Sequence, residues 1–194
     1  MRSGGALVIA LIVALIFCTA CGADLEKVVR DANDSTKVTT LAPADESELT
    51  MELAGNILSH AAESISKGEK TMAILGYDTQ TDRKMQRAEA ATAEEAKAIG
   101  EANLNANSMH SLRAVLLYTD DTTIYIKIRS YSQGRQPALL ALPYRPPASG
   151  LPVHFGKPAF REGVAPEESA GFLRAVGRGI DSYPEGARLL GDVL

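Results

Sequence analysis

The sequence predicts an α+β domain, an antiparallel sheet with helices packed on one face. Segment 122–131, TTIYIKIRSY, alternates isoleucine with polar or aromatic residues, a pattern typical of a strand with one buried and one wet face. Segments 45–67 and 166–180 instead place apolar residues at helical spacing. A turn of hairpin length at Asp120-Asp121 joins the strand to the apolar run before it, which favours antiparallel pairing.

The first half of the domain is predicted to be mostly helical. A helix covers 45–67, and a buried strand follows near 71–77. Residues 83–107 are rich in Ala, Glu, Lys and Gln, which predicts two helical pieces or one kinked helix. Thr92 and Glu95 have the spacing of a capping box, in which each side chain accepts a backbone N–H of the other residue.

The second half contains a three-stranded antiparallel meander around residues 112–142. Short polar turns separate three strand-like segments: 112–118, 122–131 and 137–144. Proline and glycine then predict a loop over 145–166. The chain ends in the helix over 166–180 and a short amphipathic segment.

The N-terminus predicts export. Arg2 supplies a positive charge, residues 6–17, ALVIALIVALIF, form an apolar run of signal-peptide length, and small residues follow. This pattern, with Cys21 after it, resembles the leader of a bacterial envelope lipoprotein. The resemblance covers the leader and one cysteine, so it indicates a sorting class and not a fold family.

The two cysteines of the chain, Cys18 and Cys21, lie in the stretch FCTACGAD directly after the apolar run. A thioredoxin-like pair belongs between a strand and a helix of an α/β domain, and a haem clip needs His where Gly22 stands. A structural zinc site needs two further ligands at short spacing. The histidines of the chain are scattered, so all three kinds of site lack partners: His60, His110 and His154.

Three fates of the leader stay open. Cleavage before Cys21 makes its thiol the point of attachment of diacylglycerol, although Cys18 stands where such leaders usually have Leu. Cleavage after Ala23 gives a soluble secreted protein. Without cleavage, the uncharged run 3–23 is just long enough, at ~1.5 Å per residue, to cross a ~30 Å hydrocarbon core. We prefer the first fate, so Cys21 is the candidate lipidation site.

The chain is accordingly predicted to have three parts. Residues 1–20 are a signal peptide or membrane anchor, 21–44 are a linker or stalk, and 45–194 are a single α+β domain. No cysteine follows Cys21, so the domain has neither a disulfide nor a catalytic thiol. All three leader fates place the domain outside the cytoplasm, in the cell envelope or beyond it.

Composition narrows the classes of partner. The net charge is −4 with both signs mixed along the chain, so nucleic acid is not expected as a partner. Trp is absent and aromatic residues make up 5%, which counts against an aromatic platform for sugars or bases. The oxygen-bearing side chains of segment 78–89 have calcium-loop spacing, but Arg83 occupies the position that needs Gly. We therefore predict no metal and no cofactor.

The preferred function is a non-catalytic binding or scaffolding domain, held at the membrane by a lipid or a helix, with an envelope protein as partner. No catalytic residue is predicted, and enzymatic activity stays open. The alternative is a small exported hydrolase built around His110 or His154. A histidine within hydrogen-bond reach of a carboxylate and a hydroxyl would favour the hydrolase, whereas an exposed apolar patch would favour the binder.

Overall fold

In a computed structural model of the protein, residues 43–69, 73–147 and 151–194 are described, with side chains from residue 46 onward. The predicted leader, Cys21 and the predicted linker as far as residue 42 lie outside the described residues, and the last two residues of that linker begin the first helix. The described elements follow one another in this order: α1 (Pro43–Ser66), β1 (Ile74–Asp78), β2 (Arg83–Arg87), α2 (Ala93–Ala106), β3 (Arg113–Thr119), β4 (Thr123–Ser130), β5 (Ala138–Arg145), β6 (His154–Phe155), β7 (Ala159–Glu162), α3 (Pro166–Asp181) and α4 (Pro184–Leu190).

The strands form one antiparallel sheet in the order β2-β1-β3-β4-β5-β6, and β7 also pairs with β5. Leu117 on β3 lies opposite Ile126 on β4, which lies opposite Leu140 on β5. The predicted meander is therefore confirmed as β3-β4-β5, and the α+β class is confirmed with it. The alternation of isoleucines in β4 determines the register, because all three are buried on one face.

Helices α1, α3 and α4 cover the first face of the sheet, the face to which Ile126 points. Helix α1 lies between the sheet and α3, and most of its residues are buried. Its contact with α3 is made by glycines: a Cβ built on Gly55 would lie 2.0 Å from the Val176 carbonyl oxygen, and one on Gly179 would lie 2.0 Å from the Glu52 carbonyl oxygen. The two helix backbones therefore touch directly.

Helix α2 covers part of the second face, so the structure adds a helix layer that the sequence did not predict. Alternate residues of a strand point to opposite faces, and β3 is apolar at both kinds of position. Val115 points into the first core, whereas Leu116 points into a second core beneath α2. Gly100 lets α2 approach closely, since a Cβ there would lie 2.4 Å from the Leu116 Cδ1 atom.

The helical prediction for the start of 83–107 is wrong, because Arg83–Arg87 forms strand β2. A tight turn brings this segment back along β1: the Thr79 N–H donates to the Asp82 carbonyl at 2.9 Å, and the Asp82 N–H donates to the Thr79 hydroxyl at 3.1 Å. Pairing with β1 thus overrides the helix propensity of the side chains. The capping box is confirmed, and α2 begins directly after Thr92.

Candidate binding cleft

The predicted site residues do not come together in the described part of the chain. Cys21 lies outside it, so lipidation stays a prediction. His110 lies exposed in the turn after α2, with a φ of 48°, and His154 is exposed on β6. Neither imidazole hydrogen-bonds to another described residue, and no carboxylate and hydroxyl flank either ring as a hydrolytic site would require.

His60 does not lie on the wet face of α1, where its helical position would place it. Its ring is half-buried, with its centroid 4.3 Å from that of Tyr183. Burial lowers the pKa of His60, and the nearby Glu63 carboxylate partly offsets this. Tyr183 donates a hydrogen bond to Glu63, and Lys67 pairs with the same carboxylate at 2.6 Å. The hydrogen bonds from Lys67 and Tyr183 lower the pKa of Glu63. The cluster joins α1 to the start of α4.

Asp120 builds the β3-β4 turn, as the sequence predicts. One oxygen of its carboxylate accepts the N–H groups of Thr122 at 2.8 Å and Thr123 at 2.7 Å. The other oxygen accepts the Tyr125 hydroxyl at 3.1 Å. The carboxylate is thus held by the turn and at the same time directs the Tyr125 ring.

Four charged side chains form a network that the sequence did not indicate. Arg113, only 6% exposed, donates to Glu46 at 2.9 and 3.2 Å and lies 3.5 Å from Asp78. Arg83 closes the network through two bonds to Asp78, at 2.8 and 3.0 Å. Two cations and two carboxylates neutralise one another, which joins the start of α1 to the sheet edge. Within the described residues, no three His, Cys, Asp or Glu side chains are arranged to hold a metal ion.

A cleft of about 430 Å³ opens on the second face of the sheet, between the first turn of α2 and the β3-β4 turn. We call it the tyrosine cleft, and it is lined by Ala73, Ala93, Glu94, Lys97, Tyr118, Thr119, Asp120 and Tyr125. Its position follows from the fold, because α2 covers β1 and β3 but leaves the end of the β3-β4 hairpin open.

Two stacked rings form one wall of the tyrosine cleft. Tyr118 and Tyr125 are cross-strand partners, with ring centroids 5.3 Å apart and planes inclined by 19°. The Lys97 ammonium lies 4.5 Å from the Tyr118 centroid, within range of a cation–π interaction. Burial raises the pKa of Tyr118, and the Glu101 carboxylate adds to the effect, so the phenol is a neutral hydrogen-bonding group at physiological pH.

The chemistry of the tyrosine cleft suits binding better than catalysis. An aromatic wall, a cation and carboxylates are the kinds of group that suit a molecule with both apolar and hydrogen-bonding parts. The ionisable groups that line it are Glu94, Lys97, Asp120 and the two phenols. They include no thiol and no imidazole, and Asp120 is already occupied by the turn. The carboxylate that accepts the Tyr125 hydroxyl also accepts two backbone N–H groups of the turn, which gives Asp120 a structural role in the cleft wall.

Sequence composition missed the tyrosine cleft because it counts residues without placing them. The chain has six tyrosines, and four of them lie on the second face of the sheet: Tyr77, Tyr118, Tyr125 and Tyr131. One signal was available. Tyr118 lies three residues before Asp121 and Tyr125 three residues after Thr122, and residues placed symmetrically about the two central residues of a hairpin turn are cross-strand partners.

Other surface features give weaker indications of function. The large apolar side chains exposed in the described segments lie on separate parts of the fold: Met85, Ile99, Leu151 and Leu194. No helix between residues 43 and 194 that the structure describes has the length and apolar character needed to cross a bilayer.

No protein-family model, curated protein or solved structure matches the chain.

Proposed function

We propose that the chain is an exported envelope protein, tethered to a membrane by lipid on Cys21, whose domain binds another envelope component without catalysing a reaction. The observation that carries the proposal is the leader: a positive residue, an apolar run over 6–17, small residues and then a cysteine. Two or three acyl chains hold a protein to a bilayer stably, whereas a single chain holds it only marginally.

The tyrosine cleft supports the binding part of the proposal. It is the place in the described domain where stacked aromatic rings, an ammonium and a carboxylate line one open space. Its walls come from α2, which packs on the sheet, and from the β3-β4 hairpin, which is part of the sheet. A partner would therefore meet a preformed surface and would lose little of its binding free energy to ordering the cleft.

Intact-mass spectrometry of protein extracted from membranes tests the anchor. We expect the parent chain to begin at Cys21 and to have the added mass of a lipid. Cys21→Ser should accumulate as precursor or appear in the soluble fraction, whereas the control Cys18→Ser should change neither mass nor location, because Cys18 leaves with the leader. A mature chain beginning at Asp24, or an intact chain with free thiols, would contradict lipidation.

Site-specific crosslinking tests the binding surface. A photoreactive phenylalanine analogue replaces Tyr125 in the full-length chain, and the matched control has the analogue at Glu167, which is exposed at the start of α3. After irradiation of intact cells, we expect a discrete adduct from position 125 and none from position 167. Equal adducts from both positions, or adducts from neither, would contradict partner binding at the tyrosine cleft.

A further inference from the structure

Strand β2 is a free edge of the sheet. It lies at the end of the strand order and pairs only with β1 among the described strands. All five of its residues are exposed, and it has neither a proline nor a bulge. Such a strand presents a row of unpaired backbone groups to solvent, on which another chain can form hydrogen bonds.

The hydrogen-bond pattern shows which residues present these groups. The Thr79 N–H donates to the Asp82 carbonyl, and the Ala88 N–H donates to the Ala73 carbonyl. In an antiparallel ladder, bonded and non-bonded pairs alternate, so Lys84 and Gln86 direct their backbone groups toward β1. The intervening residues direct their N–H and C=O groups away from it, toward the free edge: Arg83, Met85 and Arg87.

The same three residues share one face of the sheet. They lie opposite Asp78, Gly76 and Ile74 of β1, on the face that α1 covers. Met85 is 44% exposed, between two cations. Arg83 is paired with Asp78, whereas Arg87 has no carboxylate within salt-bridge range among the described residues. The edge thus presents the side-chain order arginine, thioether, arginine, and Arg87 is the one of the two arginines without a carboxylate partner among the described residues.

We propose that β2 receives an extended acidic segment of a partner protein, which adds a strand to the sheet. Residues opposite one another in adjacent strands share a face, so the segment places acidic side chains opposite Arg83 and Arg87 and an apolar side chain opposite Met85. The expected motif is acidic-x-apolar-x-acidic. Asp82 and Glu89 flank β2 and repel acidic groups, which confines the match to the five positions of the strand.

Charge disfavours a second copy of the chain as the occupant. Antiparallel pairing of two β2 strands about Met85 would place Arg83 of one copy opposite Arg87 of the other, at both ends of the contact. Like charges directly opposite each other in a ladder are destabilising. The arginines that oppose self-association are therefore the same groups that favour an acidic strand.

Peptide binding to the full-length chain in detergent micelles tests the proposal without depending on lipidation or on the tyrosine cleft. The probe is a fluorescent peptide with the core Glu-Thr-Val-Thr-Glu between flanking threonines, and its binding is measured by fluorescence anisotropy. The control peptide has lysine in place of each glutamate. We expect the glutamate peptide to bind at least about tenfold more tightly, since two favourable cross-strand pairs replace two repulsive ones.

Two variants separate backbone pairing from simple charge attraction. Met85→Pro removes an outward N–H without removing a hydrogen bond to β1. We expect this variant to bind the glutamate peptide at least about fivefold more weakly than the parent does. Arg87→Glu should reduce the preference for the glutamate peptide, whereas Arg174→Glu, a charge reversal on α3, should not. Unchanged thermal melting shows that the variants are folded. Equal binding of the two peptides, no binding of either, or full binding to Met85→Pro would overturn the proposal.

Discussion

The direct contact between the backbones of α1 and α3 makes a prediction about two glycines of the same helix. A Cβ added to Gly179 would lie 2.0 Å from the Glu52 carbonyl oxygen, 2.8 Å from its carbonyl carbon and 3.0 Å from the Asn56 nitrogen. A Cβ added to Gly177, two residues earlier, would meet nothing closer than the Leu194 Cδ1 atom at 3.8 Å. Gly179→Ala and Gly177→Ala thus place the same methyl group in opposite environments.

The magnitudes follow from these distances. In an open helix position, replacing Gly by Ala contributes up to ~1 kcal/mol of stability, because Ala loses less backbone entropy on folding. At Gly179 the clash is with backbone atoms, so α1 and α3 must move apart by ~1 Å or more to restore an ordinary contact. Overpacking of this kind costs about 1–3 kcal/mol or more and weakens the other contacts along the crossing.

Thermal and urea unfolding of the two variants beside the parent check the prediction. At about 2–4 °C per kcal/mol for a chain of this size, Gly177→Ala should raise the Tm by up to about 4 °C. Gly179→Ala should lower it by roughly 3–10 °C. If Gly179→Ala were as stable as Gly177→Ala, the backbone contact between α1 and α3 would not exist as described, and the placement of α3 would be refuted.

Two further predictions concern the core and the response to pH. Ile126 is 1% exposed, so Ile126→Asp buries an unpaired carboxylate and should lower the free energy of unfolding by about 3 kcal/mol or more. Leu151 is 62% exposed, so the control Leu151→Asp should change the midpoint of urea unfolding little. Burial lowers the pKa of His60 in the folded chain, so the unfolded chain binds more protons in this pH range. The free energy of unfolding therefore falls as the pH drops from the ordinary value of 6.5 through the lower pKa of the folded state. His60→Gln should reduce this loss of Tm and the exposed His154→Gln should not; equal losses would contradict the burial of His60.

The sequence predicts best where the structural information is local. The β3-β4-β5 meander follows from the alternation of isoleucines and from turns of a few residues, and both are visible within a short window. Strand β2 was missed because its residues favour a helix when considered alone, and because pairing with β1 depends on the turn at Thr79–Asp82. Arg113 and Glu46 are 67 residues apart in the chain, so no local pattern could indicate their ion pair.

The second face of the sheet shows why a candidate site is harder to predict than a fold. The apolar run in β3 predicted burial but could not show that a helix would cover only part of the second face, since this depends on the length and direction of α2. The tyrosine cleft exists where that cover ends. Its residues are few and far apart in sequence, and only the pairing of β3 with β4 brings Tyr118 beside Tyr125.

The two candidate surfaces differ in how far they can change without loss of the fold, and this decides how each is to be probed. The β2 residues after Arg83 are exposed and lie outside the Arg113 network, so substitutions other than proline there are expected to alter stability by within about 0.5 kcal/mol while changing what the edge binds. Tyr118 also packs against the second core, and its truncation would combine a loss of binding with a loss of packing. Tyr125 contacts the cleft and the turn without belonging to that core. A binding defect at Tyr125 with an unchanged Tm therefore reports on the surface itself, whereas the same defect at Tyr118 would not distinguish recognition from local unfolding.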